Sequence, residues 1–267
     1  MLDLKQLTGD VCRIATEAGH FLKEERKNFR RESVVEKHAH DYVSYVDKES
    51  EVRIVKALSA LLSEAGFITE EGSATYQDEP YCWVIDPLDG TTNYIHDEAP
   101  YCVCIALRSR TELLLGVVYE VCRDECFCAW RGGKAFMNGE EIHVSGVRDI
   151  KDAFVFAELP YNAQQYKQTA LHLIDKLYGV VGGIRMNGSA AAAICYVAMG
   201  RFDAWAEAFL GKWDYSAAAL IVQEAGGRVT DFCGNGHFMD GHHIIATNGY
   251  LHSVYQQLIA EVPPLDM

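Results

Sequence analysis

Long apolar runs are missing from this chain of 267 residues. No stretch approaches the roughly 20 apolar residues that a bilayer-spanning helix requires, so no membrane partner is expected. Residues 1–10 carry charges throughout and no apolar centre, which argues against a secretory signal. Basic charge is scarce: 24 Lys and Arg stand against 38 Asp and Glu, a formal charge of −14. Such a balance disfavours non-specific binding to nucleic acid, and none is expected as a partner. Repeats, low-complexity tracts and long linkers are also lacking. The nine cysteines are odd in number and form no regular framework, which suits a reducing, cytoplasmic location. Cys126 and Cys128 alternate on one face of an expected strand, with Cys122 close by. No second pair at zinc spacing follows, so they read as buried thiols.

What remains is an ordinary globular composition, 49% hydrophobic and 23% charged, long enough for one large domain or two lobes. Apolar residues recur at helical spacing over residues 3–27 and about 48–65. Residues 101–146 turn strand-rich, with runs at 103–107, 113–119 and 126–129 and turns at 131–134 and 138–139. Beyond 152, strands (153–157, 202–206, 228–231, 243–247) and an extended segment at 183–186 alternate with helices (163–178, 189–199, 214–225, 249–260). The break near 150 divides an N-terminal α+β lobe, about 1–150, from a C-terminal α/β lobe, 151–267, within a single catalytic unit.

The most telling segment is Trp83-Val84-Ile85-Asp86-Pro87-Leu88-Asp89-Gly90-Thr91-Thr92-Asn93. A buried strand over 82–85 should end in a turn forced by Pro87 and Gly90, from which Asp86 and Asp89 project. Clustered carboxylates repel one another unless cations neutralise them, and hard divalent ions such as Mg²⁺ take oxygen ligands. The same residues would also make a plain polar turn. Two further segments shift that balance. Glu70-Glu71 follows a short apolar run, and Asp214 stands at or near the N-cap of a helix that closes at Gly226-Gly227.

Taken together, Trp-x-Ile-Asp-Pro-x-Asp-Gly-Thr-x-Asn at 83–93, Trp-Asp-x-x-Ala-Ala at 213–218, the glutamates at 70 and 71 and the upstream Asp47 resemble the inositol monophosphatase family. This is a family of Mg²⁺-dependent, lithium-sensitive phosphatases. The order and spacing hold from about residue 5 to 260. The resemblance implies a layered αβαβα sugar-phosphatase fold, with the site between the lobes, and a homodimer. It implies that Glu70, Asp86 and the Leu88 carbonyl hold a first metal, and that Asp86, Asp89 and Asp214 hold a second, with two or three Mg²⁺ per site. Glu70, and Thr91 backed by Asp47, would orient and deprotonate the attacking water, without a covalent intermediate. Gly90 and Thr91 amides would take phosphate oxygens. Gly188, Ser189 and Ala190 would face the substrate ring, Glu207 would accept its hydroxyls, and Leu88, Asp89 and Asp214 would line the substrate. Lys37 lies near the position of the family's basic loop residue.

The implied activity is hydrolysis of inositol monophosphate. Related phosphatases acting on nucleotide bisphosphates, fructose bisphosphate or histidinol phosphate would share the metals and differ in the pocket. A nucleotide base would need an aromatic platform, whereas Glu207 suits polyol hydroxyls. A regulatory binding protein on the same scaffold is the reading of a different class.

Overall fold

The computed structural model describes residues 2–30, 32, 34–38, 41–160, 163–236 and 238–260. Helix α1 (Leu4–Arg26) begins where Asp3 accepts the Gln6 N–H at 3.0 Å, and buries Leu7, Val11, Ala15, Ala18 and Leu22 along one face. A short hairpin, β1 (Val35–His38) and β2 (Asp41–Val43), leads to α2 (Tyr45–Leu61). That helix starts three residues earlier than its apolar spacing suggests. Ser44 and Asp47 form a capping box, a polar signal that hydrophobic periodicity does not register.

Seven strands then build one sheet in sequence order: β3 (Ala65–Thr69), β4 (Tyr81–Asp89), β5 (Cys102–Arg108), β6 (Leu113–Glu120), β7 (Glu125–Trp130), β8 (Ala135–Met137) and β9 (Glu140–Ile142). A short helix, α3 (Thr91–His96), interrupts the run between β4 and β5. All neighbours pair antiparallel except β3 and β4, which are parallel. The second half supplies β10 (Phe154–Ala157), α4 (Ala163–Leu177), β11 (Gly183–Arg185), α5 (Ala190–Ala198), β12 (Ala204–Ala208), α6 (Lys212–Glu224), β13 (Arg228–Thr230), β14 (His243–Thr247) and α7 (His252–Ala260). Its sheet runs β11-β10-β12-β14-β13, with β11, β10 and β12 mutually parallel.

The layers follow from which faces are apolar. Helices α1 and α2 cover one face of the larger sheet through Leu22, Ile54, Leu58, Ile85, Val103 and Val117. Helices α5 and α6 lie between the two sheets, in a core that joins Val84, Cys104 and Phe127 to Phe156, Trp205 and Ala246. Gly116 permits this close packing, because a Cβ there would stand 2.4 Å from the Ala217 carbonyl of α6. Helices α4 and α7 cover the far face of the second sheet through Leu173, Leu177, Tyr255 and Ile259. The result is the expected αβαβα arrangement. β11, β10 and β12 lie side by side and parallel, and in open α/β sheets ligands bind outside the carboxyl ends of such strands.

Cys126 and Cys128 do share one face of β7, where they meet Cys12 of α1, and all three are half-buried.

Candidate metal centre

Residues three apart on a regular strand point to opposite faces, so Asp86 and Asp89 could not both serve one site from an unbroken β4. The chain does not turn after Ile85, as its sequence suggests; the strand continues through Asp89. Asp86 pairs with Cys104 and Asp89 with Cys102, so three steps on β4 oppose two on β5. This bulge brings Asp89 back to the Asp86 face. Carboxylate oxygens of Asp86, Asp89 and Asp214 accordingly lie within 4.8 Å of one another.

Each further group arrives from a different element. Pairing of β3 with β4 sets Thr69 opposite Ile85, and the Glu70 N–H donates to the Ile85 carbonyl at 3.3 Å. The Glu70 carboxyl is thereby brought beside that of Asp86, and the two like charges oppose each other's ionisation. Asp214 is the third residue of α6, not its N-cap: Gly211 holds that place and donates its N–H to the Asp214 carboxylate at 2.6 Å. The Thr91 hydroxyl stands 3.2 Å from Asp47 and 2.9 Å from the Leu88 carbonyl. Asp47 is fixed in turn by the Ser44 N–H at 2.9 Å and hydroxyl at 2.7 Å. The Leu88 carbonyl, expected as a metal ligand, thus carries the Thr91 hydroxyl here. Lys37 donates to Glu70 at 3.1 Å and to Glu71.

Asp89 also joins the two halves of the chain. Its carboxylate accepts the Ser189 hydroxyl and the Ala191 N–H, the latter at 3.1 Å, and the Ala190 amide assists. It therefore sits on the N-terminus of α5, where Ser189 is the cap and the helix dipole favours an anion. Ser189 and Ala190, expected against a substrate ring, hold a carboxylate here. Gly90 has a φ of 89°, and a Cβ there would stand 2.9 Å from the Pro100 carbonyl and 3.3 Å from the Gly188 carbonyl. This turn needs glycine. Gly188 packs beside Asn93, whose amide donates to the Asn187 carbonyl at 2.7 Å.

The electrostatics are one-sided. Burial, then the neighbouring Glu70, Asp89 and Asp214, push the Asp86 carboxyl well above its usual range. Burial likewise raises Glu70 to about 7 against the pull of Lys37, and Asp89 to about 6 despite its hydrogen bonds. Asp214 is raised well above its usual range by burial and then Asp89. Glu207, at the end of β12, is raised by burial and by its neighbour Glu158.

A model of the inositol monophosphatase family matches residues 3–263. The chain belongs to this family. Among its relatives, the protein named Nus factor SuhB from Pseudomonas aeruginosa is 40% identical over 247 residues, covering 89% of this chain and 90% of that one. An inositol-1-monophosphatase from Mesorhizobium japonicum is 34% identical over 239 residues, with the same coverage. The crystal structure of the extragenic suppressor protein suhB from Bartonella henselae superimposes with a TM-score of 0.89 at 33% identity, covering 95% of this chain and 98% of that one.

Inositol monophosphatases are metal-dependent phosphatases acting on phosphate esters, and this cluster fits that requirement. Its donors are all oxygens, which suits a hard cation, and no ordinary cation besides Lys37 is ion-paired to it among the described residues. Carboxyls that burial and mutual repulsion hold above their usual range are groups that a bound divalent ion would return to the ionised form. No helix among the described residues is long and apolar enough to cross a membrane.

Three residues around the site escaped the sequence reading. Glu158 follows β10 and accepts the N–H groups of Asn187 at 3.0 Å and Gly188 at 3.4 Å, and burial lifts it to about 7. Ser50 reaches the Pro87 carbonyl at 3.3 Å, and Glu51 holds the loop after Glu70. The available signal was their phase: Ser50 and Glu51 lie three and four residues beyond Asp47, on one face of α2.

Proposed function

We propose that this chain is a Mg²⁺-dependent phosphomonoesterase that hydrolyses inositol monophosphate to inositol and phosphate. The observation that carries the reading is the convergence of Glu70, Asp86, Asp89 and Asp214 beside the Thr91–Asp47 pair. Glu70, Asp86 and the Leu88 carbonyl would hold one ion, and Asp86, Asp89 and Asp214 another. When bound, the ions supply positive charge for the phosphate ester and acidify an attacking water.

The chain's own groups do the rest. The Thr91 hydroxyl stands against the Asp47 carboxylate, so it can accept a proton from the water while its own proton passes to Asp47. Glu70, ionised once a cation is bound beside it, is the second group that can accept a proton from the water. Gly90 and Thr91 present the amides of the α3 N-terminus to phosphate oxygens. Glu207 faces the hydroxyls of the polyol.

One observation favours a second substrate class. Phe209, two residues beyond Glu207, is 46% exposed with a φ of 65° and lies against Tyr166 with ring centroids 5.0 Å apart. Left-handed backbone at a bulky side chain is strained and concentrates at functional sites. That ring pair is the kind of platform an aromatic leaving group would use. Phosphate release from a panel of inositol, sugar, nucleotide and histidinol phosphates, with Mg²⁺ and with chelator, tests both readings. Full turnover in chelator would overturn the metal mechanism. Preference for the aromatic esters would replace the inositol assignment.

A further inference from the structure

We propose that Glu51 is a positioning residue that sets metal affinity by holding the loop that carries Glu70; this rests on the metal-centre reading above. The buried face of α2 changes character along its length. Ile54 and Leu58 in its later turns enter the apolar core, but Asp47, Ser50 and Glu51 in its first turns are polar and equally buried. Each of those three reaches a different part of the site. Asp47 meets Thr91, Ser50 meets the Pro87 carbonyl between Asp86 and Asp89, and Glu51 meets the loop after Glu70.

The Glu51 side chain is fully buried. One of its oxygens accepts the Glu71 N–H at 2.7 Å and the other accepts the Ser73 N–H at 2.8 Å. A buried charge is tolerated when such bonds satisfy it, and bonds to a carboxylate are about twice as strong as neutral ones. Glutamate suits the position because both oxygens accept, whereas glutamine would turn an NH₂ toward one of the two N–H groups. The loop is short and held at both sides: Glu70 is tied to β4 through its own N–H, and Gly72 turns the chain with a φ of 73°. Release of the Glu71 amide would leave Glu70 held only by its own N–H bond to the Ile85 carbonyl and by Lys37. Groups that orient metal ligands from behind typically change metal affinity or activity by about 10- to 100-fold when they are removed.

The test is direct Mn²⁺ binding to the purified full chain, read from the free-ion signal in electron paramagnetic resonance, alongside steady-state kinetics. Glu51→Gln is expected to weaken Mn²⁺ binding by about 10- to 100-fold. The Mg²⁺ concentration for half-maximal activity should rise by the same factor, with kcat and the KM for ester at saturating Mg²⁺ kept at wild-type values. Glu70→Gln combined with Glu51→Gln should then bind no more weakly than Glu70→Gln alone, since one acts through the other. Glu51→Asp, whose shorter carboxylate cannot span both amides, should fall between, and it decides the matter if the glutamine variant does not fold. A lowered melting temperature with unchanged Mn²⁺ affinity would overturn the inference and leave the metal reading standing. Absence of Mn²⁺ binding by the unmodified chain would overturn both.

Discussion

Removing metal should make this protein's stability fall as pH rises from about 5 toward 7, against the usual acid sensitivity of carboxylate-rich proteins. The sign follows from linkage. A carboxyl whose pKa is higher in the folded state keeps its proton where the unfolded chain has released it, so folding is favoured below the unfolded value and loses that advantage up to the folded one. Glu70 goes from an ordinary 4.5 to about 7 and Asp89 from 3.8 to about 6, chiefly through burial. At about 1.4 kcal/mol per pKa unit, either group alone would account for about 3 kcal/mol across that window. The two share neighbours, so together they contribute less than twice that amount. For a chain of this size about 3 kcal/mol corresponds to a fall in Tm of roughly 6–12 °C.

His252 acts in the opposite direction. It is buried between Thr230 and Thr247, and burial lowers its pKa to about 4, so its contribution grows with pH up to its ordinary 6.5. His252 is metal-independent, however, and a difference measurement removes it. Thermal unfolding is therefore best followed between pH 5 and 8 in chelator and again in saturating Mg²⁺. Ligands must be deprotonated to bind a metal, so the increase in Tm from Mg²⁺ should be small at pH 5 and should grow until about pH 7. An increment independent of pH across this range would refute the claim that these carboxyls are held protonated by their surroundings and released by a cation.

Three other expectations are more quickly tested. Asp89→Asn and Asp214→Asn each remove a charge from the cluster, so phosphate release should fall at least roughly a hundredfold, while the metal-free Tm holds or rises; near-wild-type turnover would show the ligand assignment to be wrong. Glu207→Gln should reduce kcat/KM for inositol phosphate far more than for a simple aryl phosphate, because hydrogen bonds to a charged group contribute roughly 1.5–3 kcal/mol and the aryl ester has no hydroxyl to make them. Equal losses would place Glu207 in the support of the site instead. Gly90→Ala should lower stability by about 1–3 kcal/mol in chemical denaturation, since the left-handed backbone is strained for alanine and its Cβ would press on the Pro100 carbonyl; an unchanged midpoint would contradict that geometry.

The available chemistry and the order of the elements are legible in local stretches of the chain. Paired carboxylates at 86 and 89, the glutamates at 70 and 71 and the aspartate before a capped helix are local patterns. Helical and strand periodicities are local too, which is why α1, β5, β6 and α6 stand close to where their apolar spacing puts them. Tertiary structure decided how those groups meet. Asp86 and Asp89 share a face because β5 pairs with a bulged β4, and that register depends on a partner strand the 83–93 motif does not contain. Asp89 ends on the first turn of α5, a hundred residues away in sequence, through Ser189 and Ala191. The third place of Asp214 in α6, and the hold of Glu51 and Glu158 on neighbouring loops, depend on backbone N–H groups. Every residue but proline has such a group, so side-chain spelling cannot announce which carboxylate will receive it.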